Sequence, residues 1–286
     1  MFFPPRVLGP YRLTEVIGRE ASVITYKGYR LGHERWLTIT LIHRQATAFS
    51  PHHQERLRKM TRLRHASLLS VLDYGLADEQ AYLVYDCIPA IPLGRRLAFG
   101  LDLRLTLDIL QPLADALAHI HQQGLAHGQI SLQSIVLAEG DWPLLADMGL
   151  TLLSDPELMA ACTDDSPAHR QRLLQAQSDD IHALGAVLYE MLTGKSLSPV
   201  AEPAQEPTRP LGFFCPGIPP EIEAIFEKAV AAQPERRYAR PSDLLHDLEQ
   251  ARASLFGFRA QTDHRAECGV SNDASSALLS RVAICR

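Results

Sequence analysis

The chain has 286 residues, 46% of them hydrophobic, which is enough apolar material for one large unit or two smaller lobes. A formal net charge of -5 and a pI near 6.2 give no electrostatic reason for a nucleic-acid partner or an anionic membrane surface. Cys87, Cys162, Cys215, Cys268 and Cys285 are odd in number and lack C-x-x-C spacing, so neither a disulfide framework nor a zinc site is expected and a reducing cytoplasm fits.

The start, Met1-Phe2-Phe3-Pro4-Pro5, has no charged segment followed by an apolar run of the secretory kind. No stretch of about 18 apolar residues occurs, so no membrane span is expected and the predicted location is cytoplasmic. Residues 11 to 45 predict strands: Tyr11 to Ile17 alternates loosely, and Val23 to Tyr26 and Trp36 to Ile42 are rich in β-branched and aromatic residues. Gly18 to Val23 reads as a β-turn between the first two. Ser50-Pro51 is a helix start, with Ser as cap and Pro at the first position. Leu57, Met60 and Leu63 then mark one helical face. Leu68 to Tyr74 and Gln80 to Tyr85 predict two more strands.

Beyond Pro92 the texture turns helical. Ile109, Leu113, Leu117 and Ile120 share one face, as do Ile181, Leu184, Leu188, Met191 and Leu192. Ile222, Ile225, Phe226 and Ala229 mark a third helix, and Leu244, Leu245 and Leu248 a fourth. A mainly β segment followed by a mainly α segment predicts an α+β fold in two lobes. The expected domain covers residues 11–250, with an N-lobe of about 11–86 and a C-lobe of about 89–250. Residues 251–286 are read as a tail of low order.

The densest cluster of chemical signals is Leu125-Ala126-His127-Gly128-Gln129-Ile130-Ser131-Leu132-Gln133-Ser134, followed by Ala146-Asp147-Met148-Gly149. It resembles the catalytic loop (H-R-D-x-K-x-x-N) and metal-binding turn (D-F-G) of Ser/Thr protein kinases. Four further segments resemble that family in the same order. Leu63-Arg64-His65 resembles the stretch after its helix C, and Ala81 to Cys87 its last N-lobe strand and hinge. Asp180 to Gly194 resembles its helix F, and Pro234-Glu235-Arg236-Arg237-Tyr238 the motif before its last helix. The likeness is greatest to the bacterial Ser/Thr kinases. Small-molecule phosphotransferases, whose loop reads H-G-D, share His127-Gly128 but fit the later motifs less well.

This resemblance implies a two-lobed protein-kinase fold, and it exposes which reactive groups are missing. Phosphoryl transfer depends on positioning and charge neutralisation. Of the glycine-rich phosphate loop only Gly18 remains, and Glu20 brings negative charge to it. Thr40 stands at the strand Lys position, and a hydroxyl supplies no long-range positive charge. Arg56 stands at the partner Glu position. Glu55 lies about 100° around the helix, and Glu55 and Lys59 read as a solvated pair. Lys27 could share a strand face with Thr25; an exposed strand Lys is the favoured reading and a displaced phosphate ligand the alternative. Gln129 replaces the catalytic base, Ser131 the loop cation and Ser134 a metal ligand.

Asp147 alone remains as a metal ligand, a thin site for Mg²⁺. Gly128 replaces an Arg that would meet a phosphate on a residue such as Thr163. Ala168, in Ser166-Pro167-Ala168, replaces the carboxylate that would pair with Arg237, which is then solvated or re-paired. His127, Met148 and Met60 match an apolar column linking the lobes, and Asp180 a buried carboxylate that bonds the loop backbone. Gly18, Thr25, Thr38, Tyr85, Cys87 and Val136 are the nucleotide-cleft candidates, with Tyr85 narrowing the rear. The pattern predicts a pseudokinase that scaffolds or regulates a protein partner: a kinase, a phosphatase or their substrate. ATP is expected to bind weakly or not at all. The alternative is an atypical active kinase or phosphotransferase with a rearranged site.

Overall fold

The computed structural model describes residues 6–20, 23–45, 51–77, 80–97, 100–150, 153, 167–197 and 210–257. Six strands, β1 (Arg6–Leu8), β2 (Tyr11–Glu20), β3 (Val23–Arg30), β4 (Trp36–Gln45), β5 (Val71–Ala77) and β6 (Gln80–Asp86), form an antiparallel sheet in the order β1-β2-β3-β4-β6-β5. Helix α1 (Pro51–Arg62) lies between β4 and β5 in the chain. Alternation divides the strands into two faces. Leu37, Ile39, Leu41, Tyr82 and Val84 bury one face with Leu8, Tyr11 and Leu13. Val23, Ile42, Leu83 and Tyr85 bury the other against Leu57 and Met60 of α1 and Leu63 just after it, and join the core of the second lobe.

That second lobe holds a three-stranded sheet of β7 (Ile91–Pro92), β8 (Ile135–Leu137) and β9 (Pro143–Leu145). Its helices are α2 (Leu103–Gln122), α3 (Pro167–Thr193), the single turn α4 (Leu211–Phe214), α5 (Pro220–Ala229) and α6 (Pro241–Phe256). Asp102 caps α2 by accepting the Leu105 N–H at 3.0 Å. The periodic residues of α2, Ile109, Leu113, Leu117 and Ile120, are all buried, and the other helices bury the faces their sequences mark. The fold is α+β in two lobes, as the element order predicts.

Several expectations shift. Strand β1 lies outside the expected start at residue 11, and its Leu8 is fully buried. At the other end α6 runs to Phe256, with Ala251 buried and Arg252 ion-paired to Asp108. The expected tail boundary at 251 therefore falls inside a packed helix; residues from 258 on, the Ser50 cap and Thr163 lie outside the described residues. Leu68 is not in a strand of its sheet but makes a single bridge to Leu145 of β9, because its neighbours bond the second lobe: Leu69 N–H to Leu145 O at 2.8 Å and Leu145 N–H to Ser67 O at 3.0 Å. Of the turn expected over Gly18 to Val23, Gly18 to Glu20 belong to a strand, and residues 21 and 22 lie outside the described residues. Gly18 pairs with Thr25 and Glu20 with Val23, so β2 continues through this stretch. Cys87 is disulfide-bonded, although the cysteine spacing predicts no disulfide framework, whereas Cys215 is free.

At Gly28 the neighbouring strands leave no room for a side chain. A Cβ there would lie 2.5 Å from Arg12 O and 2.7 Å from Ile39 Cδ1. Gly28→Ala is therefore expected to lower stability by about 1–3 kcal/mol, read as a lower urea midpoint with an unchanged slope.

Candidate functional site

The loop that carries His127 is held from beneath by one carboxylate. Asp180 sits in the buried half of α3, 2% exposed. Its Oδ2 accepts the His127 N–H at 2.8 Å and its Oδ1 the Gly128 N–H at 2.7 Å. His121, at the end of α2, donates Nε2–H to Oδ2 at 2.9 Å. Three donors offset the cost of burying this charge. Gly128 has φ +81°, a backbone angle that suits glycine. Gln177 of α3 adds bonds to His121 O and Leu125 O, at 3.3 and 2.9 Å. Neither His121 nor Gln177 carries a recognisable sequence signal, because each acts through backbone or through a partner distant in the chain.

His127 passes this anchorage to the next turn. Gln129 N–H donates to its Nδ1 at 3.3 Å, so the ring proton lies on Nε2 and is donated to Ala146 O at 2.8 Å. Burial is the main cause of the lowered His127 pKa, only partly opposed by Asp180. Asp147 follows with φ +63° and Gly149 with φ +95°. Tyr85, buried in β6, donates its phenol to Met148 O at 2.9 Å. Burial and then the negative charge of Asp147 hold that phenol well above its ordinary pKa. Tyr85 thus ties the first lobe to the turn. The acceptor is a main-chain carbonyl, so no side-chain motif signals it.

Ser131 and Ser134 close on each other. Ser134 Oγ accepts the Ser131 N–H at 2.9 Å and donates to Ser131 O at 3.2 Å. Ser131 Oγ accepts the Gln133 and Ser134 N–H groups, both at 3.3 Å. Ser134 is also 2% exposed. Gln129 is exposed and carries no proton-accepting group at neutral pH.

Above the loop, Gly18, Thr25, Thr40, Thr38 and Tyr85 come together on one sheet face. Thr25 pairs with Thr40 and Thr38 with Tyr85. The Thr25 and Thr40 hydroxyls lie 3.5 Å apart, and a Cβ on Gly18 would sit 3.5 Å from Thr25 Cβ. Lys27 pairs with Thr38 on that same face. It is 5% exposed rather than solvated, with Nζ 4.7 Å from the centre of the Trp36 ring. The favoured reading of an exposed Lys27 is therefore corrected. The signal was the shared parity of Lys27 and Thr25; what alternation cannot tell is that Trp36 covers the ammonium.

Arg56 is half-buried on α1 beside a face buried by His53, Leu57 and Met60. Met60 and Met148 are both buried, and a Cβ on Gly149 would lie 3.2 Å from Met60 Sδ. Cys87 follows β6 half-buried, and Val136 lies in β8 opposite Pro92 and Leu144. Ala168 is exposed in the first turn of α3. Arg237 is re-paired, donating to Ala231 O at 2.8 Å, Ser178 O at 3.2 Å and Asp179 Oδ1 at 3.0 Å.

A magnesium nucleotide, which this kind of cleft implies, fits these residues poorly. Asp147 is a hard ligand, but the Ser134 hydroxyl is spent within the loop. Among the described residues no group of three His, Cys, Asp or Glu side chains is placed to hold a metal ion. No helix there is long and apolar enough to cross a membrane.

Two lobes, a loop pinned by a buried carboxylate and an Asp-x-Gly turn define the protein-kinase class. Residues 25–239 match the family profile "Protein tyrosine and serine/threonine kinase", and the chain belongs to that family. It is 24% identical over 270 residues to the serine/threonine-protein kinase PrkC of Bacillus subtilis, covering 88% of this chain and 42% of that one. It is 25% identical over 254 residues to the kinase PknE of Mycobacterium tuberculosis, covering 82% and 45%. The chain thus spans less than half the length of these relatives. The crystal structure of the Mycobacterium tuberculosis PknI kinase domain shares the fold, with a TM-score of 0.66 at 21% identity over 87% of this chain and 99% of that chain.

Asp180→Ala removes the acceptor of three buried donors and is expected to cost about 3–5 kcal/mol, read by urea unfolding. Acid should also destabilise the fold. Burial lowers the pKa of His127 and, with Arg237, that of His182. The unfolded chain therefore binds more protons than the folded one once the pH drops below about 6.5. Stability is full above that value and falls as pH drops through the folded-state values. Urea midpoints at pH 7.5 and 5.5 should differ, and the His127→Gln, His182→Gln double variant should flatten the slope.

Proposed function

We propose that this chain is a pseudokinase, a kinase-fold protein that binds a protein partner and transfers phosphate poorly or not at all. The observation that carries the reading is the closed Ser131–Ser134 network. These positions would supply the loop cation and a metal ligand, and instead satisfy each other and the local backbone. Gln129 lacks a base, and Thr40 exchanges its hydroxyl with Thr25 rather than offering a charge to phosphate. These losses act on one unit, so restoring one of them restores little. The chain would act as a scaffold or allosteric regulator in a bacterial-type Ser/Thr phosphorylation system. Its partner would be a kinase, a phosphatase or a substrate protein. Cytoplasmic placement fits this reading.

Lys27 supports a second reading. A buried ammonium on the cleft face, with Asp147 across the cleft, is the charge set that an atypical active kinase or phosphotransferase would use.

Thermal unfolding with millimolar ATP, with and without Mg²⁺ or Mn²⁺, separates the two readings. The pseudokinase reading expects no metal-dependent shift, and no labelled phosphate transferred by the wild type or by Gln129→Asp. Metal-dependent stabilisation that Asp147→Asn abolishes, together with transfer, would establish the second reading instead.

A further inference from the structure

Away from the cleft, a groove of about 780 Å³ opens on the back of the second lobe. It is bounded by α2, α6, the turn between β8 and β9, and the segment after α1. Trp142, Pro143 and Leu245 give it an apolar wall, and the Trp142 side chain is half-exposed with its indole N–H fixed on Ala66 O at 3.0 Å. At its base lie two buried polar groups. Ser67 is 0% exposed and Gln111 9% exposed, and neither Ser67 Oγ nor Gln111 Nε2 has a hydrogen-bond partner. The orientation of the Gln111 amide is set by Arg252, which donates to its Oε1 at 3.0 Å, so Nε2 is a donor left over.

The rim is acidic. Asp108 pairs with Arg252 and Asp141 with Arg96. Among the described residues Asp115 meets the His65 ring, at 3.1 Å, and exposed Glu249 makes no ion pair. Carboxylates beside an apolar wall complement a segment that carries both a cation and an apolar side chain.

We infer that this groove is a docking site for a short basic and apolar peptide segment of a protein partner. An aliphatic or aromatic side chain packs on Trp142, Pro143 and Leu245. An Arg or Lys pairs with Glu249 and Asp115. The site is independent of the cleft and holds whether or not the chain transfers phosphate.

The test probes an array of random-sequence decapeptides with the labelled full chain, then titrates the best binders by fluorescence anisotropy. Expected are peptides that combine Arg or Lys with Leu, Ile or Phe, and binding that millimolar ATP leaves unchanged. Glu249→Lys and Trp142→Ala should each weaken it about tenfold, while Glu227→Lys on the exposed face of α5 leaves it unchanged. Both groove positions are exposed, and thermal unfolding verifies that the variants fold. Selection of acidic or purely apolar peptides, or wild-type affinity in both groove variants, overturns the inference.

Discussion

The buried carboxylate of Asp180 is the constraint on which the rest of the site depends. A charge at 2% exposure is tolerable only when its lone pairs are filled. Here they are filled by two successive loop N–H groups and an imidazole from another helix. One residue therefore fixes α3, the end of α2 and the His127 loop relative to each other. From His127 the order continues to Ala146 O, and from Met148 O to Tyr85 in the first lobe. The path runs through backbone groups at nearly every step. It consequently tolerates wide change in the side chains that point away from it.

That geometry explains how reactive groups can vanish while the frame persists. Gln129 is exposed, so exchanging a carboxylate for an amide there leaves no buried group unpaired. Ser131 and Ser134 are less free, since Ser134 is buried. A buried hydroxyl without partners would cost stability, and the two serines remove that cost by bonding each other's backbone. The same logic applies to Arg237. Without a carboxylate at Ala168 its guanidinium, nearly buried, takes Asp179 and three oxygens of the chain instead. At Ser134 and Arg237 the buried polar group is met by local partners.

Periodic side chains made the helices legible, because a helix buries one face and repeats it every three or four residues. Ile109, Leu113, Leu117 and Ile120 are buried as that spacing requires. The anchoring by Asp180 was legible through family resemblance, since its surroundings in sequence match. Strand β1 was not, because three residues carry too little alternation to stand out. Tyr85 was legible as a bulky group but not as a tether, since its acceptor lies 63 residues away on the main chain. Lys27 shows the limit of pattern reading: parity assigns its face, but only the tertiary placement of Trp36 decides that it is covered.

The docking of α1 bears on what such a cleft is suited for. Active members of this kind of fold are expected to hold the helix through a Lys–Glu pair whose Lys also meets the nucleotide. Thr40 and Arg56 stand at those positions, and these two residues do not form a Lys–Glu pair. Leu57, Met60 and Leu63 hold α1 instead, and Met60 packs so closely that a Cβ on Gly149 would sit 3.2 Å from its sulfur. Apolar burial acts without ligand, metal or phosphate.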